Sequence, residues 1–298
     1  MNTVRELWDS WAEDAIVADK ASGRFLADGS AGAFEHTGAQ FDIEGRFTVP
    51  RSPQGRPVLV QAGVSPQGRD FAAANSDLIF SPYSRLAEAQ EFYADIKGRA
   101  RAFGRNPDDL KIIPGAGFIL GDSKADAEEK ARYLLEQQLS DRTVQVLFEQ
   151  LWNLDLSAYD LDGPLPDIDP DPTAPPIIQG RAFIHQDRFE VVRRWRQLAD
   201  AKGLSIRGVA AEVSSRTEYI GTPQQVADAL DDFIQNDGAD GVVLGGHITP
   251  GGIDEFVDKV VPLLQERGSL RTEYTGSTLR ENLGLPIPER RGALTATV

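Results

Sequence analysis

The stretch Pro57-Val-Leu-Val-Gln-Ala-Gly-Val-Ser-Pro-Gln-Gly-Arg69 limits the possible folds of this chain more than any other segment. An apolar run, Val58 to Gln61, empties into small residues, and Ser65-Pro66 then opens toward the Ala-rich segment Asp70 to Asn75. A buried strand that turns through Gly and Ser into a helix leaves the first helical N–H groups unpaired, and the helix dipole favours an anion there. The same pattern recurs. Leu78-Ile-Phe-Ser precedes an amphipathic segment from Arg85 to Phe103, with Leu86, Ala89, Phe92, Ile96, Ala100 and Phe103 at helical spacing and Gly104 as its stop. Lys111 to Leu120, made irregular by Pro114 and its glycines, precedes a helix from Lys124 to about Leu139, with Ser123 as cap and Asp126 in the capping-box position. Gly241-Val-Val-Leu-Gly-Gly246 precedes a helix from Ile253 to Gln265 with Phe256, Val257, Val260, Val261 and Leu264 inward. Strands alternating with helices predict a parallel sheet covered on both faces.

Thr222-Pro-Gln-Gln225 is a further helix start: a Thr cap, Pro at the first helical position and Gln at the third. At the N-terminus, Val4, Leu7, Trp8, Trp11, Ala15 and Ile16 predict a helix over 3–20, followed by a Gly/Ala/Asp loop to Ala39 and an extended segment from Phe41 to Val49. Between Asp155 and Gly180 the periodicity collapses into Pro and Asp. A loop of that length within a compact domain is a lid or a subunit contact, which we favour over an interdomain linker because strand–helix units resume after it. The expected organisation is one domain over 1–298, with 140–215 as an insertion or lid region.

The 298 residues suffice for an eight-stranded α/β barrel, and 41% hydrophobic with 26% charged residues suits a soluble protein with a sizeable core. A net charge of −15 argues against nucleic acid or an anionic membrane as a partner, so any phosphate must be held by a local site. The absence of cysteine excludes thiol nucleophiles, disulfides and Cys-ligated metals. No apolar run approaches the roughly 20 residues that span a bilayer, and no apolar signal core follows Met1. A cytoplasmic protein is expected.

Several segments then carry a resemblance. Leu7-Trp-Asp-Ser-Trp11, Phe41-Asp42, Pro50-Arg-Ser-Pro-Gln-Gly-Arg-Pro57, Gln61-Ala-Gly-Val-Ser65, Gly221-Thr-Pro-Gln-Gln-Val-Ala227 and Arg271-Thr-Glu-Tyr-Thr-Gly-Ser-Thr-Leu-Arg280 resemble, in that order, the nitrilotriacetate, EDTA and dibenzothiophene-sulfone monooxygenases. These are bacterial-luciferase-like flavin enzymes. The resemblance runs from about Leu7 to Pro286 and implies a (β/α)8 TIM barrel of which this chain holds the C-terminal half, strands five to eight, with a long insertion. The family's first four strands, which carry most flavin-ring contacts, have no counterpart here. The chain is then expected to be either a truncated product or a natural half-barrel. The implied activity is oxygenation of a small organic substrate with oxygen and reduced FMN, the flavin supplied by a separate flavin reductase. A non-catalytic half-barrel partner subunit is the alternative, and open strand edges predict a homo-oligomer.

Ser65 is the leading site residue. The turn alone leaves it either a plain helix cap or a phosphate ligand, and the resemblance favours the phosphate of FMN. Gly63 and Val64 would offer N–H groups, Gly68 would permit close approach and Arg69 would balance charge. No catalytic residue is assigned. His247, after the Val-Val-Leu-Gly-Gly strand, sits where barrel ligands bind but reads better as a solvated loop residue. His36 and His185 lack metal-ligand spacing. The Asp167, Asp169 and Asp171 alternation lacks the Gly and terminal Glu of a calcium loop, and no metal site is assigned. Trp8 and Trp11 read as packing residues.

Overall fold

A computed structural model describes residues 1–171, 173, 187–214 and 217–290. Helix α1 (Asn2–Trp8) leads into two antiparallel ribbons, β1 (Ile16–Asp19) with β2 (Arg24–Leu26), and β3 (Ala33–Thr37) with β4 (Asp42–Arg46). Strand–helix units follow: β5 (Val60–Gln61), α2 (Pro66–Asn75), β6 (Leu78–Ser81), α3 (Leu86–Ala102), β7 (Lys111–Leu120) and α4 (Lys124–Gln138). Three helices come next, α5 (Asp141–Trp152), α6 (Arg188–Lys202) and α7 (Ile206–Ser214). The chain closes with β8 (Thr217–Gly221), α8 (Pro223–Gln235), β9 (Val243–Gly245), α9 (Asp254–Lys259), α10 (Val261–Glu266) and α11 (Leu279–Asn282). It divides into two compact units, one of Met1–Gly115, Asp231–Val243 and the chain from Leu264 on, the other of Ala116–Leu230 and Leu244–Leu263.

In the first unit β5, β6 and the start of β7 pair in parallel, Val60 beside Leu78 and Leu78 beside Lys111. Ile79 and Ile112 meet Ala72, Phe92, Ile96 and Ala100 in a dry layer between sheet and helices. Side chains alternate along a strand, so Val60 and Phe80 lie on the face opposite Ile79, where they are 61% and 36% exposed. Strand β5 is shorter than the apolar run because Leu59 is bonded elsewhere: its N–H donates to Asp77 Oδ2 at 2.8 Å and its carbonyl accepts from Asp77 and Leu78. Asp77 is in turn gripped by the buried Arg280, Nη2 to Oδ2 at 2.6 Å and Nη1 to Oδ1 at 3.1 Å. Buried Lys97 likewise meets Asp240, whose Oδ2 accepts the Ile112 N–H at 2.7 Å.

The N-terminal helix ends at Trp8, well short of the predicted span. Ser10 turns its hydroxyl onto the Leu7 carbonyl at 2.7 Å, a local bond that competes with helix continuation. Trp11 then packs beneath the ribbons, with Nε1 donating to Phe47 O at 2.7 Å. The segment predicted as a loop to Ala39 holds β2 and β3, and the extended segment predicted from Phe41 holds β4. The helix predicted over Ile253–Gln265 is broken at Val260 into α9 and α10, because Pro262 has no N–H to give to the preceding turn.

In the second unit the end of β7 pairs in parallel with β8, Phe118 beside Tyr219 and Leu120 beside Gly221. Helices α5, α6 and α7 build a core of their own: Phe148 and Trp152 stack, and Trp195 meets both rings at a tilt, with centroids 5.0 to 6.2 Å apart. The described part of the Pro/Asp loop is tied to that core. Trp152 Nε1 donates to Ile168 O at 2.8 Å, and Arg196 donates to Asp169 and to the Pro166 and Ile168 carbonyls. Residues 172 and 174–186 of that loop lie outside the described residues. No helix among the described residues is long and apolar enough to cross a membrane.

Candidate functional site

Strand β5 ends at Gln61, and four residues later Ser65 caps α2 with Pro66 at its first position. Ser65 Oγ accepts the Gly68 N–H at 3.1 Å. A hydroxyl has one donor and two acceptor positions, so capping uses a lone pair and leaves the proton free. Cap and phosphate donor are therefore compatible roles for the same oxygen.

The turn before the cap is folded back on itself. Gln61 Oε1 accepts the Gly63 N–H, and Gln61 Nε2 donates to Gly68 O at 3.3 Å. A Cβ on Gly68 would lie 2.7 Å from the Gly63 carbonyl oxygen, so glycine is needed there for the approach of the chain to itself. Arg69 Nε donates to Val64 O at 2.9 Å, its Nη1 to Asp95 Oδ2 at 2.8 Å and its Nη2 to Tyr83 Oη at 3.3 Å, with the guanidinium 4.9 Å from the Phe92 ring centre. Partial burial pushes the Asp95 carboxyl up, but hydrogen bonds from Arg69 and Arg99 outweigh that and hold it below the ordinary carboxylate range.

The structure thus brings Gly63, Val64, Ser65, Gly68 and Arg69 into one turn and gives them different work. The N–H groups of Gly63 and Gly68 are engaged, and Arg69 is bonded on three sides. Among the described residues, no acceptor is found for the Val64 and Ser65 N–H groups. Two successive N–H groups beside a free hydroxyl proton at a helix start suit a phosphate oxygen.

Sequence reasoning passed over Gln61, Tyr83 and Asp95. Gln61 carries a local signal, an amide two residues before a turn glycine. Asp95 carries none, since its place beside Arg69 is created by the packing of α3 on α2.

His247 follows β9, and its Nδ1 is buried with no partner among the described residues. His36 is bonded to Glu6 at 3.1 Å and Thr3 at 3.2 Å. His185 lies outside the described residues. In the second unit a cleft of about 390 Å³ opens beyond the ends of β7 and β8, lined by Gly121, Asp122, Asp126, Lys130, Glu255 and Lys259 among others. A hydrogen bond from Lys130 at 3.1 Å lowers the pKa of Glu255.

Parallel strands feeding helices, with an anion-suited turn at a strand's C-terminal end, place the chain among the ligand-binding α/β proteins, of which barrels are one class. The sequence profile of the luciferase-like monooxygenases matches residues 3–241, and the chain belongs to that family. It is 39% identical to N-acetyl-S-(2-succino)cysteine monooxygenase of Bacillus subtilis (strain 168), over 97% of this chain and 64% of that protein. Dibenzothiophene-sulfone monooxygenase of Rhodococcus erythropolis is 38% identical over 98% of this chain and 63% of its own length. The crystal structure of DmoA from Hyphomicrobium sulfonivorans superposes with a TM-score of 0.74 at 30% identity, covering 95% of this chain and 57% of that one. The chain therefore spans less than two thirds of the length of these relatives. The luciferase-like TIM-barrel fold expected from the sequence is the fold of these structural neighbours.

Proposed function

We propose that the Gly63–Ser65 turn seats the phosphate of FMN, and that the chain forms the part of an FMN-dependent monooxygenase that carries this seat. The observation that carries the reading is the pair of N–H groups at Val64 and Ser65 that find no acceptor among the described residues, beside the hydroxyl proton of Ser65. With a net charge of −15 the overall field opposes an anion, so the seat must work through short, directed bonds. Reduced FMN, when bound, supplies the oxygen-activating chemistry, and this chain's residues bind and orient it. A relative named nitrilotriacetate monooxygenase component A, from Aminobacter aminovorans, is 36% identical over 97% of this chain and 62% of its own length; the word component supports a system of more than one protein, and a flavin reductase is the second component this reading calls for. The substrate is a small organic molecule, as the relatives' names imply.

Ser65→Ala tests the reading. A hydrogen bond to a charged acceptor contributes about 1.5–3 kcal/mol, so FMN binding weakens by roughly 10- to 150-fold. Riboflavin, which lacks the phosphate, loses far less. Equal losses for both ligands in flavin-fluorescence titrations would show that Ser65 acts only as a helix cap.

A further inference from the structure

We infer that Arg69 is a positioning residue that aims the Val64–Ser65 peptide at the phosphate, and that it does not itself meet the phosphate. The inference rests on the FMN-phosphate reading of the turn and adds a division of labour within it.

The reasoning starts from the peptide plane. In a trans peptide the carbonyl of one residue and the N–H of the next point in opposite directions. Arg69 Nε holds the Val64 carbonyl at 2.9 Å, so the Ser65 N–H is turned away from Arg69. The preceding peptide lies side-on against the helix: a Cβ on Gly68 would meet the Gly63 carbonyl oxygen at 2.7 Å and its carbon at 2.9 Å. The Val64 carbonyl is drawn onto the first turn of α2, and the Ser65 N–H faces the other way.

Arg69 can do this because its own direction is fixed. Asp95 holds Nη1 at 2.8 Å, Tyr83 holds Nη2 at 3.3 Å, and the face of Phe92 lies 4.9 Å from the guanidinium carbon. A planar guanidinium bonded along three edges sets the position of its Nε–H, whereas an ammonium is a point charge on a flexible stem. The charge of Arg69 is already balanced by Asp95, and Asp95 is shared with Arg99, its Oδ1 accepting from Nε at 2.8 Å. Ion-paired to both Arg69 and Arg99, the Asp95 carboxylate does not meet an incoming phosphate as a free charge. Its contribution is to hold the guanidinium.

The two roles for Arg69 predict opposite signs for one substitution. If Arg69 only positions, Asp95→Asn loosens the fork and weakens FMN binding by about 3- to 10-fold, the scale of one ordinary hydrogen bond. If Arg69 is a direct charge partner, Asp95→Asn frees its charge for the phosphate and FMN binds more tightly. Flavin-fluorescence titrations of the 298-residue chain with FMN and with riboflavin, on wild type, Ser65→Ala, Arg69→Lys and Asp95→Asn, decide the matter. The expected result is weaker FMN binding in both Asp95→Asn and Arg69→Lys, and little change for riboflavin in either variant. Tighter or unchanged FMN binding in Asp95→Asn, or wild-type FMN affinity in Arg69→Lys, would overturn the positioning role. Should Arg69→Lys fail to fold, the half-exposed Asp95→Asn still decides. Ser65→Ala separates the two levels of inference: equal losses of FMN and riboflavin there overturn the phosphate seat itself, while a selective loss beside an unweakened Asp95→Asn overturns only the role of Arg69.

Discussion

The oxygen of Ser65 accepts from Gly68, and a separate contact, the Gly63 carbonyl pressed against the same residue, explains why position 68 carries no side chain. In an unstrained helix Ala is more stable than Gly by about 1 kcal/mol. At position 68 the added Cβ would press on the Gly63 carbonyl at 2.7 Å, and the neighbour is backbone, which cannot swing aside. Gly68→Ala is therefore expected to lower the melting temperature and weaken FMN binding more than riboflavin binding. A raised melting temperature with unchanged FMN affinity would show that the turn is not as tightly folded as described. This part of the site was half legible in the sequence. Ser-Pro-x-Gly after an apolar run announces a capped helix with room beside it, because cap chemistry depends on residues only three apart. The bonds that orient the turn were not legible, since Arg69 meets Asp95 across 26 residues and a helix–helix contact.

Strand β5 is only two residues long, yet it delivers the turn, and its position is set from outside. Arg280 on α11 donates to the Arg56 and Pro57 carbonyls at 3.0 and 3.1 Å and grips Asp77, which in turn holds the Leu59 N–H. Asp9 at the end of α1 binds Arg56 and Arg51 and so fixes the approach to the strand. Removing one partner of a buried ion pair leaves the other uncompensated and costs about 3–5 kcal/mol. Arg280→Met is expected to lose that much in urea unfolding, and a loss below about 1 kcal/mol would mean the pair behaves as a surface contact. Elements with local signals were read correctly: Ser123 caps α4, and Thr222 and Gln225 exchange both bonds of a capping box before α8. Strand β4 falls in the segment read as extended, but β1 to β3 escaped notice, β1 because Ile16, which fits a helical period, is exposed on a strand. Their pairing depends on partners across the ribbon, a signal absent from any single segment.

The whole chain is an acidic member of the luciferase-like monooxygenase family that spans less than two thirds of the relatives it matches. The four strands expected from the sequence are β5, β6, β7 and β9, while β8 formed where only a helix start had been read. The parallel sheet was legible because strand–helix alternation leaves a repeated pattern of buried runs and caps, whereas the barrel class came from the family resemblance. The break in that pattern after Asp155 was legible, but the tryptophan core beside it was not, because Trp152 and Trp195 meet only after α5 and α6 pack. At this scale the central claim is that an acidic chain holds an anionic cofactor through one turn. The most direct test compares wild-type affinity for FMN and for riboflavin, with inorganic phosphate as competitor. FMN is expected to bind at least about tenfold more tightly than riboflavin, and phosphate is expected to displace FMN. Equal affinity for the two flavins, with no effect of phosphate, would contradict the account.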